Sequence, residues 1–323
     1  LTFAELDGRL GAFRLNTGVR ALAAGADGRA LLEPRVAARW QPTEQVALTL
    51  GWSRDHQALS ALQDERTTMP GPPFYYVHPA GSPESRSDAL NAEFTWWGRD
   101  WNASAGAYDR RDSGIPHWMP VRARDMSALS WDDGRVRGIE LSARRFGARA
   151  SGWIWYSMTD ARYTNASAGS SLYAASASRY VPAATHRHAA AALWMTRLWP
   201  STTFSAQATY GSGQYLWPPT GNFIAPRFGF GPGPVIAQAI EVAPWGTEQV
   251  LAPPTYRLDL GLRKTVAFRQ WSMEPYVSVR NIGARSNLLT YDRIGSGYNG
   301  IFSLEPLGSF VKVLPTIGLD VRF

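Results

Sequence analysis

Segments of about ten residues with alternating apolar and polar side chains are joined by connections that are alternately short and long. In residues 46–52, for example, Val46, Leu48, Leu50 and Trp52 alternate with small or polar residues. Successive side chains of a β-strand point to opposite faces, so each such segment predicts a strand with one apolar and one polar face. The predicted fold class is therefore all-β.

We predict thirteen strands, and the connections between them differ in size in a regular way. The strands are expected at 1–9, 12–24, 33–41, 45–57, 87–97, 101–111, 135–145, 148–162, 187–198, 202–213, 255–268, 271–281 and 312–323. Short turns are expected at 41–45, 98–100, 146–147, 199–201 and 269–270. Long loops are expected at about 58–86, 112–134, 163–186, 214–255 and 282–310.

The two sizes of connection indicate a membrane barrel. A soluble β-sandwich shows the same alternation along its strands, but its two ends have no reason to carry connections of different size. Strands of an outer-membrane barrel have short turns at the periplasmic end and long loops at the extracellular end. We therefore predict that residues 1–323 form the wall of an antiparallel transmembrane β-barrel, built as a meander.

Composition agrees with a membrane wall and excludes several function classes. Charged residues make up 18% of the chain, below the roughly 25% usual for soluble domains, while 12% of residues are aromatic. The sequence contains no cysteine, which excludes disulfides and thiolate metal sites. The net charge is +7, but the arginines are scattered rather than grouped, so we expect no nucleic-acid partner.

Aromatic residues lie near the ends of the predicted strands, where a membrane wall needs them. Amphipathic rings favour the boundary between lipid and water. The aromatic residues concerned are Trp96, Trp97, Trp101, Trp153, Trp155, Trp199, Trp271 and Phe323. The last strand alternates and ends on Phe323, which is typical of the signal that outer-membrane barrels present to the barrel assembly machinery. We predict that machinery as a partner through Phe323.

Short motifs then follow one another in the order found in one family. They are Glu33-Pro34-Arg35, Gln41-Pro42-Thr43, Asp55-His56-Gln57, Gly138-Ile139-Glu140-Leu141, Trp155-Tyr156-Ser157, His186-Arg187-His188, Gly211-Ser212-Gly213, Tyr256-Arg257-Leu258-Asp259-Leu260 and Val279-Arg280-Asn281-Ile282. Over nearly its whole length the chain resembles the β-barrel of TonB-dependent outer-membrane receptors.

The resemblance implies more than this chain contains. Members of the family have a 22-strand barrel, an N-terminal plug domain and a segment that contacts TonB. Thirteen strands therefore imply the C-terminal part of such a barrel, without its plug. The implied function is TonB-dependent import of a scarce nutrient of the siderophore, cobalamin or saccharide class across the outer membrane. Implied partners are outer-membrane lipid, the TonB motor and an external small molecule.

Two other functions stay open from the residues alone. One is a plugless passive porin or an adhesin-like barrel, and the other is a secreted β protein that binds carbohydrate. An enzyme is not expected, because no nucleophile, base and orienting group stand out as a trio. No cofactor or metal is expected either, since His186 and His188 share a strand face but lack a third ligand.

Loop aromatics and two arginines are the candidate ligand-binding residues. They are Phe74, Tyr75, Tyr76, Trp118, Tyr215, Trp217, Arg54 and Arg144. The rings are suited to stacking on a ligand, although packing of the loops on themselves is the favoured reading. Arg54 and Arg144 are interpreted as lumen-facing, together with Arg35, Arg39, Glu140, Arg257, Asp259, Arg263 and Arg280, and a salt-bridge network within the wall is favoured for this set.

Overall fold

The structure is a computed structural model. It describes residues 1–24, 28–62, 74–78, 82–118, 129–165, 179–182, 185–216, 221–228, 236–243, 249–294, 303–309 and 311–323. Within these residues the secondary structure is β-strand. The described residues include no helix that is long and apolar enough to span a membrane.

The strands, in chain order, are β1 Thr2–Leu10, β2 Phe13–Ala24, β3 Arg29–Thr43, β4 Val46–Gln57, β5 Leu59–Leu62, β6 Phe74–Val77, β7 Ser85–Trp97, β8 Trp101–Trp118, β9 Leu129–Arg145, β10 Ala150–Asn165, β11 Arg179–Tyr180, β12 His188–Trp199, β13 Thr202–Gly211, β14 Tyr215–Leu216, β15 Gly221–Phe228, β16 Ile236–Ala243, β17 Val250–Leu251, β18 Thr255–Lys264, β19 Val266–Ala267, β20 Ser272–Arg280, β21 Leu288–Ile294, β22 Ser303–Gly308 and β23 Leu314–Arg322.

A single sheet of 15 strands forms the wall. Two of the 15 are the two-residue strands β11 and β19, and the other thirteen are the strands that the sequence predicts. Each of the thirteen pairs antiparallel with the next along the chain, from β1 at one edge to β23 at the other. The predicted all-β antiparallel meander is confirmed.

Cross-strand register collects the apolar side chains on one face of the sheet. Leu50 lies opposite Ala92, Ala92 opposite Ala107, and Ala107 opposite Ile139, so one apolar row crosses four strands. This apolar face is open to its surroundings: Leu50 is 51% exposed and Ile154 is 54% exposed. Exposed apolar surface of this extent is unusual for a water-soluble monomer. The opposite, polar face carries the intervening residues.

The two ends of the wall carry connections of different size. At the short-turn end, β1 joins β2 through residues 11–12, β3 joins β4 through 44–45, and β7 joins β8 through 98–100. At the long-connection end, residues 58–84 join β4 to β7 and residues 212–254 join β13 to β18. The connection between β2 and β3 is an exception at this end, because their pairing continues to Ala24 and Arg29.

Strands continue farther into the predicted loops than the sequence suggests. The loop expected at 112–134 is mostly strand, because β8 and β9 stay paired out to Trp118 and Leu129. Beyond the membrane neither face of a strand needs to be apolar, so the alternation fades while backbone pairing persists. Four further pairs lie inside the other long connections, namely β5 with β6, β14 with β17, β15 with β16, and β21 with β22.

Aromatic rings gather beside the short turns. Phe268 stacks on Trp271 across the turn from β19 to β20, with ring centroids 4.0 Å apart. Phe13 stacks on Trp40 at 6.2 Å in the same zone of β2 and β3. These rings stand where a membrane boundary would cross the short-turn end.

Candidate functional site

The long-connection end of β8, β9 and β10 carries a packed cluster on the polar face of the wall. Its buried apolar residues are Val136, Ala161 and Tyr163, with Tyr108 and Tyr180 packed against them. Elsewhere along the described wall this face is mostly open, so the cluster marks the place where connections fold back onto the sheet.

Asp112 is the polar centre of this cluster. The Tyr163 hydroxyl donates to Asp112 Oδ2 at 2.6 Å, and Arg110 Nε donates to the same oxygen at 3.1 Å. Asp112 is 6% exposed, so its charge depends on these two donors. A β-bulge in β8 follows directly, where Gly114 adopts a φ of 65°.

A second carboxylate, that of Asp132, is more completely buried than that of Asp112. Asp132 is fully buried and accepts a hydrogen bond from the Tyr180 hydroxyl. The Tyr180 ring is tilted against Tyr163, with centroids 6.0 Å apart. Tyr180 belongs to β11, so this contact holds the connection between β10 and β12 against the wall.

The hairpin of β5 and β6 is fixed to the wall through His78. One ring nitrogen of His78 lies 3.2 Å from Ser60 Oγ and 3.3 Å from Ser85 Oγ, and the other lies 2.9 Å from the Pro83 carbonyl oxygen. A serine beside a histidine is the pairing of many hydrolases. Here all three side chains are buried, and Ser85 donates to the Gly114 carbonyl oxygen, so the arrangement is structural.

Of the predicted ligand-binding aromatic residues, the structure describes two side chains, and both lie at the long-connection end. Tyr75 on β6 is 74% exposed, and Tyr215 on β14 is half-buried. Phe74 and Tyr76 belong to β6 and Trp118 ends β8, but their side chains lie outside the described residues, as does all of Trp217. Ligand binding by these rings stays a prediction.

The two predicted arginines, Arg54 and Arg144, lie on opposite faces of the wall. Arg54 lies opposite Asp88 in register and shares the apolar face with Trp52, with its guanidinium 5.9 Å from the Trp52 ring centroid. The interpretation of Arg54 as lumen-facing is therefore wrong, because residues two apart in a strand share a face. Arg144 is on the polar face, but at the short-turn end, 4.7 Å from the Phe146 ring centroid.

The favoured salt-bridge network is present on the polar face. Arg35 contacts Glu5 at 2.6 Å, and Arg263 contacts Glu274 at 2.7 Å and Asp320 at 2.6 Å. Arg263 and Glu274 lie on neighbouring strands, whereas the other two pairs reach across the strand that lies between them.

His186 and His188 have separate partners. His186 binds the Ser212 carbonyl oxygen and Gln214, while His188 lies 2.9 Å from the Tyr156 hydroxyl. Within the part of the chain that the structure describes, no three potential ligands come together to hold a metal ion.

Comparison with known proteins decides the family. Residues 1–282 match the family model described as TonB dependent receptor-like, beta-barrel. The chain belongs to the TonB-dependent receptor β-barrel family. It is therefore a wall segment of the bacterial outer membrane, and its apolar face is the lipid-facing one. Membership of a family of receptors also confirms the expectation that the chain is not an enzyme. Curated protein sequences yield no match.

Solved structures of similar fold include an iron transporter and an import receptor. The FrpB iron transporter from Neisseria meningitidis (F3-3 variant) is 13% identical, with a TM-score of 0.57 over 99% of this chain. The ferric-catecholate import receptor Fiu from Escherichia coli K12 is 12% identical, with a TM-score of 0.59 over 99% of this chain. This chain spans 44% of the length of each of these two structures. FpvA from Pseudomonas aeruginosa, solved with bound pyoverdine, is 8% identical, with a TM-score of 0.57, and this chain covers 38% of it.

Proposed function

We propose that this chain is the barrel wall and loop platform of a TonB-dependent importer of a siderophore-like iron chelate. The observation that carries the proposal is the family match over residues 1–282, joined to a wall whose lipid-facing side is apolar and whose two ends differ in connection size. In the proposed mechanism the long connections bind the external chelate, and the TonB motor moves a plug domain.

The iron-chelate class is supported by the names of proteins with similar structures. FrpB is named an iron transporter and Fiu a ferric-catecholate import receptor. Cobalamin and saccharides are the other classes that the same wall could serve, since fold alone does not set the substrate. A passive porin differs from the proposed importer in needing no energy input from TonB.

The chemistry of the long-connection end fits recognition of an aromatic ligand. Tyr75 projects a largely exposed ring from a hairpin that His78 fixes to the wall. A ring held on a fixed hairpin can stack on a catecholate with little loss of side-chain entropy. At the same end of the wall, Asp112 joins β8 to β10 through Tyr163, and Asp132 holds the connection between β10 and β12 through Tyr180.

Uptake in living cells tests the proposal. A strain without its own catecholate receptors would express the full-length protein, and uptake of radioactive iron as ferric enterobactin would be measured with and without functional TonB. Uptake that requires both the protein and TonB supports the proposal. Uptake that persists without TonB indicates a passive porin, and TonB-dependent uptake of cobalamin or a saccharide in place of iron contradicts the iron-chelate class.

A matched pair of variants tests the role of the loops. Tyr75→Ala should raise the ligand concentration for half-maximal uptake by up to about tenfold, because one aromatic stacking contact contributes about 0.5–1.5 kcal/mol. Trp199→Ala removes an exposed ring at the short-turn end and should leave that concentration unchanged. Equal effects of the two substitutions would contradict ligand binding by Tyr75.

A further inference from the structure

A row of charged side chains crosses five neighbouring wall strands on the lipid-facing side. Each member lies directly opposite the next in the strand register. From β4 to β10 the row runs Arg54, Asp88, Arg111, Arg135 and Arg162. These five residues are called the arginine row below. Four of the five are cations, in a position where a membrane wall usually carries apolar residues.

The arginine row stands at the outer limit of the apolar surface. Two residues closer to the short turns on each strand lies a mixed row of Trp52, Leu90, Asp109, Arg137 and Asp160. A third row lies another two residues closer to the short turns. Its members are all apolar: Leu50, Ala92, Ala107, Ile139 and Met158. The arginine row is thus at the height where acyl chains end and lipid headgroups begin, on the long-connection side.

Carboxylates of the wall neutralise only part of this charge. Arg54 pairs with Asp88 at 2.7 Å, Arg162 pairs with Asp160 at 3.2 Å, and Arg135 pairs with Asp109. Among the described residues, no carboxylate lies within ion-pair distance of Arg111 or Arg137. The two rows together hold five arginines and three aspartates, a surplus of two positive charges.

Register also sets like charges against each other. Arg111 lies opposite Arg135, and Arg135 lies opposite Arg162. Like charges directly opposite on one face of a sheet are destabilising. Their side chains remain accessible, with Arg135 41% and Arg162 68% exposed. An external anion that bridges the three guanidinium groups would remove this repulsion.

We propose that the arginine row binds the phosphate groups of a phosphorylated lipid in the leaflet at the long-connection end. Guanidinium matches phosphate by paired, charge-assisted hydrogen bonds. The apolar row that lies beyond the mixed row, and that includes Leu50 and Ile139, then contacts the acyl chains of the same molecule. This adjoining apolar surface favours a lipid headgroup over free phosphate, and its outward face separates the site from any ligand in the lumen.

Lipid binding by the full-length protein in detergent tests the proposal. Native mass spectrometry would measure the affinity for lipid A with two phosphates, for the wild type and for R111Q/R135Q/R162Q. Each arginine near a membrane surface contributes about fivefold to the binding of an anionic lipid, so the triple variant should bind roughly 100-fold more weakly. R39Q/R257Q/R280Q removes the same charge from the polar face and should bind as the wild type does.

Two further measurements complete the test. One distinguishes loss of charge from loss of folding, and the other distinguishes binding of a lipid from binding of a free anion. R111K/R135K/R162K keeps the charge and should retain most of the affinity, and all variants should shift with heat on gels as a folded barrel does. Inorganic phosphate at millimolar concentration should not displace the lipid. Equal affinity of wild type and R111Q/R135Q/R162Q overturns the proposal, as does an equal loss in R39Q/R257Q/R280Q. Displacement by phosphate would replace the lipid with a free-anion site.

Discussion

Replacing Leu141 with arginine places a charge in the middle of the lipid-facing surface. Leu141 on β9 lies opposite Ala105 on one side and Tyr156 on the other, and it is 45% exposed. On the same strand and face, Arg137 and Arg145 lie four residues away in either direction. The lipid-facing band is therefore bounded by charges at equal distances from Leu141.

The expected cost follows from that position. Eight residues from Arg137 to Arg145 span about 26 Å along a strand at roughly 3.3 Å per residue. A tilt of about 40° reduces this span to a height of about 20 Å, close to the apolar band of an outer-membrane barrel. An arginine at the midplane costs about 2–4 kcal/mol, so Leu141→Arg should shift the unfolding equilibrium by roughly 100-fold.

Equilibrium unfolding by urea in lipid vesicles measures this cost for the full-length protein. Ser142→Arg introduces the same side chain one residue along, on the polar face, where Ser142 lies opposite Ser104. Its free energy of unfolding should fall by no more than about 1 kcal/mol, the worth of one hydrogen bond. If Ser142→Arg destabilised the protein as much as Leu141→Arg, the assignment of the lipid-facing side would be refuted.

Two further substitutions and one deletion test the site and the strand ends. Tyr163→Phe should lower the free energy of unfolding by about 2 kcal/mol in urea titrations, because buried Asp112 loses a hydroxyl donor at 2.6 Å. Gly114→Ala should cost at least about 1–2 kcal/mol in the same assay, since its φ is 65° and the added Cβ would lie 2.4 Å from the Glu84 carbonyl oxygen. Deletion of Phe323, which is 100% exposed, should reduce the folded fraction in cells on heat-modifiable gels by several-fold if this residue addresses the barrel assembly machinery.

Each of these three changes has a control. Tyr210→Phe alters a tyrosine on the lipid-facing side, and Gly8→Ala adds a Cβ with no atom within 4 Å. Both should leave stability within about 0.5 kcal/mol of the wild type. Without Phe323, the refolded protein should unfold at the wild-type urea concentration, and a large loss of stability there would indicate a structural role instead of an assembly signal.

The wall was predictable from sequence because strand geometry has a period of two. Alternating residues such as Val46 to Trp52 define both the strand and its lipid-facing side, and this side also fixes the register. The same rule should have placed Arg54 beside Trp52 on the lipid-facing side. Its charge suggested the lumen, although a cation at the end of the apolar band is compatible with headgroups.

The packed cluster at the long-connection end could not be predicted in the same way. Tyr163 and Asp112 are 51 residues apart, and Asp132 and Tyr180 are 48 residues apart. Such contacts depend on which connections fold back onto the wall, and no local pattern encodes that choice. Strands that extend past the membrane also lose their apolar face, so alternation does not predict that β8 continues to Trp118.

The most direct test of the wall is to map its two faces by spin labels. The sequence contains no cysteine, so single cysteines can be introduced at each position from 137 to 145 without competing sites in this chain. In lipid vesicles, labels at Ile139, Leu141 and Ala143 should collide often with dissolved oxygen, while labels at Glu140 and Ser142 should not. Uniform oxygen accessibility along these positions, or the opposite phase, would contradict a lipid-facing wall.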